Sequence, residues 1–348
     1  MKIVHLPSYE VNPYQRLLME AQKQLGHEVL EGGGGGNFLG IALLKWKADV
    51  LHFHWIHPYL LRTSAIGSIL RSLRFLVEIL VLKIMGTHIA WTVHNLTNHE
   101  GLHPKIERFF SSIFIRLADT VFVHGQQAAK LSKKHFHGDA SRFSVISHPA
   151  YCGIYPNDSS KVQARQKISP NLVGEVGTVF LFLGRVNRYK GVFELVNEFK
   201  SLPQTCKLII AGQPSDSTTH AKMEAAMAED ARFIYLPQAI PENELHYYFN
   251  AADVVVLPFR KILTSGSVML AMSFGKPLVV PDIEVIRETV SSLDVWWFDL
   301  GNGASLRGAL ENAMQTWSPE KGQANLQIAN RLTWENLARE TLSDYQKN

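Results

Sequence analysis

The chain predicts an α/β protein made of two doubly wound parallel sheets, and three observations carry that expectation. Short apolar runs alternate with helix-length segments along all 348 residues, the rhythm of repeated βα units. The rhythm restarts after a Pro/Asn/Ser-rich passage, His148 to Asn171, in a chain too long for one ordinary core. Several apolar runs end in glycine, basic or hydroxyl residues just before a helical pattern. That is where α/β sheets hold anions.

In the first half, strands are expected at Lys2–Leu6, Glu28–Leu30, Val50–His54, Thr87–Val93, Thr120–His124 and Ser144–Ile146. Helices fall between them, including a long one from about Thr63 to Met85. The run Gly32 to Gly36 reads as a loop after the second strand. His148 to Asn171 reads as the connection between domains. Strands resume at Thr178–Leu183, Lys207–Ala211, Arg232–Leu236, Val254–Leu257 and Pro277–Val280. Thr333 is the expected N-cap of a last helix that opens at Trp334. The expected domains are residues 1–165 and 166–330, with a terminal segment 331–348.

With 46% hydrophobic and 19% charged residues, the composition is that of a soluble globular protein. A net charge of +4 is too mild to argue nucleic acid, and no basic-aromatic binding module appears. The charge suits an anionic small ligand or an anionic membrane surface. Cys152 and Cys206 give no disulfide framework, so a reducing, cytoplasmic compartment is expected. Met1 to Pro7 enters a strand directly, without a signal-peptide core. The apolar region Ile66 to Ile89 is interrupted by Arg71, Arg74, Glu78 and Lys83, which argues against a bilayer span.

The most informative stretch runs from Leu181 to Gly191. A strand ends at Gly184, Arg185 follows, and Lys190-Gly191 leads into a helix-like run, Val192 to Phe199. Gly184 lets the backbone approach a ligand, Arg185 grips oxygens bidentately, and Lys190 adds a point charge. Together they suggest a clamp for a nucleotide diphosphate, against the plainer alternative of a solvated αβ turn. A second turn, Thr264-Ser265-Gly266-Ser267, follows the strand at Val254 and opens another helix-like run. Its hydroxyls, glycine and free N–H groups suit a phosphate, although Ser/Thr capping alone would explain them. Two such turns in one βα domain favour the anion reading. Gln238, Ala239 and Ile240, after the strand Arg232–Leu236, offer backbone groups to a nucleobase edge.

Histidines gather at strand ends in the first half. His52, His54 and His57 form H-x-H-x-x-H, but no carboxylate or cysteine completes a zinc set, so no metal is expected. The strand Trp91-Thr92-Val93 ends in His94, and a polar loop carries His99 and Glu100. Histidine hydrogen-bonds sugar hydroxyls, and a neighbouring glutamate accepts a proton.

Taken in order, these motifs resemble the GT-B glycosyltransferases, above all family 4. The family's G-R-x4-K-G is matched by Gly184, Arg185, Lys190 and Gly191. Leu208 to Gly212, Ala251 to Pro258 and Ala271 to Val279 are also similar. Trp91 to Asn95 resembles a strand end whose histidine faces the donor sugar, and the tail around Trp334 resembles a helix that crosses back to the first domain. The resemblance implies two Rossmann-like domains facing a central cleft. One departure stands out: Ile262 and Leu270 occupy the positions of the family 4 glutamate pair. Asn12-Pro13-Tyr14, Asp49 to Trp55 and Tyr59 to Arg62 are closer to the xanthan-pathway type β-1,4-mannosyltransferases.

The implied function is transfer of a hexose, mannose from GDP-mannose with inversion, to a lipid-linked or oligosaccharide acceptor in exopolysaccharide biosynthesis. Arg185, Lys190 and Thr264 to Ser267 would hold the diphosphate, with no metal cofactor. Glu100 is the first candidate base, with His57, His99 and Glu10 behind it and His94 at the sugar. Tyr9, Glu10, Asn12, Tyr14, His54 and Tyr59 are expected to meet the acceptor. The segment Leu60 to Met85 mixes bases with large apolar residues, which suits peripheral binding to the inner face of the plasma membrane. Two alternatives are a retaining, family-4-like hexosyltransferase using a UDP-sugar and a non-catalytic glycan-binding subunit. The absent glutamates favour the latter, and the Arg185/Lys190 pair opposes it.

Overall fold

The computed structural model describes residues 1–9, 12–33, 47–98, 101–138, 140–228, 230–260 and 262–347. The chain divides into two compact units, Met1–His148 with Trp334–Asn348 and Pro149–Thr333.

The first unit holds β1 (Lys2–Leu6), β2 (Glu28–Glu31), β3 (Val50–Phe53), β4 (His88–Thr92), β5 (Thr120–Val123) and β6 (Phe143–Val145). All pairings are parallel, in the order β2-β1-β3-β4-β5-β6. β3 and β5 are buried along their whole length, as helices on both faces of a parallel sheet require. The strand order reverses beside β1, which has β2 on one side and β3 on the other. Such a switch leaves a crevice at the strand C-termini. The register sets His5 opposite His52 there.

The second unit holds β7 (Val179–Leu183), β8 (Lys207–Ala211), β9 (Phe233–Leu236), β10 (Val254–Val256), β11 (Leu278–Pro281) and β12 (Val295–Phe298). Its sheet is also parallel, in the order β12-β11-β10-β7-β8-β9, with the switch between β7 and β10. Phe180, Phe182, Leu208, Ile210, Val256 and Val279 are fully buried in its core. Each such side chain stabilises the fold by about 1.5–3 kcal/mol.

The structure corrects two expectations. Val295–Phe298 forms a sixth strand at the sheet edge that the sequence reading did not include; the other strands fall within one residue of their expected bounds. The passage after His148 is structured, and the unit boundary lies at His148/Pro149 rather than at 165. Helix Lys161–Ile168 starts with a Ser160/Gln163 capping box. It is tied down by Asp253, which pairs with Lys161 and Arg165 and accepts from Val179 N at 2.8 Å. A buried carboxylate with these partners makes the helix part of the second unit. Of the run Gly32 to Gly36, residues 34–36 lie outside the described residues.

Candidate active site

At the β7/β10 switch, β7 runs into Gly184, which has φ +142°. A Cβ added there would stand 2.9 Å from Lys190 Nζ and 3.9 Å from Ser267 Oγ. The glycine, the lysine and the serine expected to share a ligand therefore do converge. The turn is built locally: Asn187 Oδ1 accepts from Lys190 N at 3.1 Å and closes the short helical turn Arg188–Lys190. Gly191 has φ +72°, and a Cβ on it would meet the Pro258 carbonyl oxygen at 1.9 Å. No other residue type lets the two turns lie so close. Arg260 N donates to Tyr189 O at 3.1 Å, and the Arg260 side chain pairs with Glu194, which locks the two turns together again.

Helix Gly266–Ser273 begins in the second turn. Ser265 Oγ accepts from Val268 N at 3.1 Å, so that hydroxyl is the helix cap. Thr264, Gly266 and Ser267 are half-buried beside it. The first-turn N–H groups of Gly266 and Ser267 lie outside the helix's own ladder.

Burial, reinforced by the positive charge of Arg185, lowers the Lys190 ammonium to about 8. Neither cation has a carboxylate partner among the described residues. Two like charges crowded together at a strand C-terminus gain most from an anion. Gln238, Ala239 and Ile240 follow β9 on the same edge of the sheet; Gln238 and Ala239 are exposed, and Gln238 N donates to Leu236 O at 2.9 Å.

In the first unit, the structure gathers more histidines than the sequence motif contained. His5, His52, His54, His94 and His124 are all buried, with His148 against His124 at 4.9 Å between ring centroids. Burial lowers every one of the five: His5 to about 4, His94 to about 3, and His52, His54 and His124 well below the usual imidazole range. The rings are thus neutral, and three of them are hydrogen-bonded in series. His5 Nδ1 lies 2.8 Å from His54 Nε2, and His54 Nδ1 lies 3.1 Å from His94 Nε2. Trp55 stacks on His94 at 4.7 Å and 22°.

The expected acceptor residues divide. Tyr9 is exposed and sets its ring edge on Trp55 at 5.4 Å. Asn12 is a helix cap, its Oδ1 accepting from Tyr14 N at 3.0 Å. Tyr14 is buried among His54, His94, His124, His148 and Trp334, and Tyr59 is buried with its hydroxyl donating to Gly33 O at 3.0 Å. Tyr14, Tyr59 and His54 thus pack or wire the core instead of presenting a surface. Glu10, His99 and Glu100 lie outside the described residues.

His57 opens a short helix and helps line a small pocket with His54, Trp55, Asn95, Asn98 and Glu107. Glu107 was not singled out from sequence. It accepts from Asn98 N at 3.0 and 3.1 Å and from Asn98 Nδ2 at 2.6 Å, and burial raises its pKa. Asn98 in turn exchanges hydrogen bonds with Leu102. These bonds tie Asn98 to Leu102 and to the helix that carries Glu107. The signal in sequence was a lone glutamate on the apolar face of an amphipathic helix.

Helix Ala65–Ile84 buries Ser68, Ser72, Phe75, Leu76, Ile79 and Leu82. Its outer face exposes Ile66, Leu70, Leu73, Val77, Leu80 and Ile84, with Arg62 and Arg74 also exposed. No helix among the described residues is long and apolar enough to cross a membrane.

Residues 177–315 match the family described as glycosyl transferases group 1. Over 275 residues the chain is 26% identical to a GDP-mannose:glycolipid 4-beta-D-mannosyltransferase of Xanthomonas campestris pv. campestris, covering 78% of this chain and 72% of that one. Among solved structures, sucrose-phosphate synthase from Thermosynechococcus elongatus superposes with a TM-score of 0.77 at 15% identity, covering 100% and 99% of the two chains. Anabaena Alr3699/HepE in complex with UDP and glucose gives 0.72 at 16% identity, covering 99% of each.

Proposed function

We propose that this chain, a nucleotide-sugar-dependent glycosyltransferase of the GT-B fold with a group 1 domain over residues 177–315, transfers mannose from GDP-mannose to a lipid-linked acceptor with inversion. The observation that carries the reading is the meeting of Lys190 and Ser267 at Gly184, beside Arg185, with no carboxylate paired to either cation among the described residues, taken with the likeness to a relative that bears that activity.

In the reaction, the bond from the sugar C1 to the leaving phosphate oxygen breaks as the acceptor oxygen bonds to C1. Negative charge grows on the diphosphate. Arg185, Lys190, the Ser267 hydroxyl and the N–H groups of Gly266 and Ser267 take up that charge and stabilise the transition state without a metal ion. Thr264 and the cap at Ser265 shape the turn, and Gln238, Ala239 and Ile240 meet the base. The acceptor hydroxyl gives its proton to Glu100. Tyr9 and His57 border the acceptor. The exposed apolar stripe of helix Ala65–Ile84, flanked by arginines, rests on an anionic membrane surface where the lipid-linked acceptor resides.

A thermal-shift panel of GDP, GDP-mannose, UDP and UDP-glucose tests the donor. A ligand that binds only the folded state raises the melting temperature by mass action. GDP species are expected to stabilise the protein selectively. Selective stabilisation by UDP species would replace the mannosyl reading with a UDP-hexose one, and silence toward all four would remove the clamp.

A further inference from the structure

A chain of buried hydrogen bonds links the C-terminal helix Trp334–Tyr345 to the end of β4, and its chemistry has a direction. Thr341 Oγ1 donates to Ala338 O at 2.9 Å. That commits the hydroxyl proton, so the same oxygen accepts from Gln22 Nε2 at 3.3 Å. The amide is thereby oriented with Oε1 toward His5 Nε2, 2.7 Å away. An amide oxygen only accepts, so His5 carries its proton on Nε2 and a lone pair on Nδ1. His54 must then donate from Nε2 to His5 Nδ1, and His94 must donate from Nε2 to His54 Nδ1. One choice at the helix fixes three imidazole tautomers in sequence.

We propose that this chain of bonds is a polarity-setting wire: it holds His94 in the neutral Nε2–H tautomer and presents its Nδ1 lone pair to a hydroxyl of the bound sugar. His94 Nδ1 has no hydrogen bond among the described residues. Its ring stacks on Trp55 and lies nearly parallel to His54, the latter at 5.4 Å and 18°. Gln22 and Thr341 are positioning residues, acting on the reaction only through His94.

His5, His52 and His54 also bring one nitrogen each within 4.8 Å of one another, a grouping that a metal ion uses. Hydrogen bonding accounts for them better. Both nitrogens of each ring already have partners at 2.6 to 3.1 Å, those of His52 being Tyr345 OH and Thr92 Oγ1. No carboxylate joins the group among the described residues, and a dication in so apolar a place without an anion is costly.

The identity of the hydroxyl rests on the transferase reading; the tautomer does not. The test is long-range proton–nitrogen correlation NMR of the full-length protein, with histidine labelled by nitrogen-15. The expected spectrum shows His94 with a protonated Nε2 and an unprotonated Nδ1. Thr341→Val should mix the two tautomers and lower kcat about tenfold with KM little changed, and Thr341→Ser should restore both, since one neutral hydrogen bond is at stake. A His94 protonated at Nδ1, or a Thr341→Val variant with an unaltered spectrum and kcat, overturns the wire. So does stoichiometric zinc in the purified protein. If Thr341→Val does not fold, the spectrum of the unaltered protein decides alone. A correct tautomer in a protein that transfers no sugar would leave the wire standing and overturn the transferase reading.

Discussion

Gly191 lies directly under Pro258: a single added carbon on the glycine would sit 1.9 Å from the proline carbonyl oxygen. The turn after β7 and the turn after β10 therefore share one register. Gly191→Ala must both push them apart and hold a side-chain residue at φ +72°, which by itself costs about 1–2 kcal/mol. The expected result is a melting temperature several degrees lower together with weaker GDP binding by calorimetry. An alanine variant that matches the parent in both would show that the turns are not fixed by this contact.

Lys190 supplies a pH signature for donor binding. Its ammonium ionises near 8 in the free protein, so the charge proposed to attract the diphosphate is nearly full at pH 7 and lost as pH climbs past 8. The dissociation constant for GDP should rise steadily between pH 7.5 and about 9.5, the direction that loss of a cation requires. Lys190→Arg keeps its charge throughout and should flatten the profile. A flat profile in the parent would place the diphosphate elsewhere.

Alanine at Arg185 or Lys190 should cut kcat/KM by about a hundredfold or more, since each removes a charged group from the developing negative charge. Circular dichroism should be unchanged. The check is steady-state turnover, and near-normal rates in either variant would dismiss the clamp.

Acid should weaken the first unit through its histidines. Their folded pKa values lie below the ordinary 6.5, about 4 for His5 and about 3 for His94, so between 6.5 and those values the unfolded chain takes up protons that the fold refuses. Stability is complete above pH 6.5 and falls as pH decreases, by about 3 kcal/mol for His5 over its whole range. Urea midpoints at pH 7 and 5 measure the slope. Equal midpoints would mean that these rings are charged within the fold.

The outer stripe of helix Ala65–Ile84 should carry the protein to vesicles with anionic lipid at low salt, and Leu73→Glu with Val77→Glu should abolish flotation. Residues 66, 70, 73, 77, 80 and 84 also follow the alternating three- and four-residue spacing of a helix-pairing seam. A dimer in sedimentation that dissociates in the same variant, without flotation, would assign the face to a second copy.

The strands of both sheets were legible because parallel strands buried on two faces leave continuous apolar runs. β12 is an equally apolar run, Val295-Trp296-Trp297-Phe298, and carries the same signal in sequence. Gly184, Lys190 and Ser267 were legible as two separate turns. Their convergence depends on the β7/β10 switch, which no local pattern reveals. The histidine wire was hidden for the same reason. His52 and His54 announce themselves two residues apart, whereas His5, Gln22 and Thr341 join them only through the β1/β3 register and a helix far along the chain. His54, Tyr14 and Tyr59 looked like surface contacts because polar tips on strand and helix ends usually are.

The first unit is interrupted in sequence by the second, residues 149–333, and regains its last helix at 334. During synthesis, the six strands of the first sheet exist long before the helix that supplies Thr341 to Gln22 and Tyr345 to His52. The nascent first unit therefore lacks the partner of His52 Nδ1 and the bond that orients Gln22, while the second unit has every residue it needs to fold. Order of completion then runs against order of translation: the part made first is finished last.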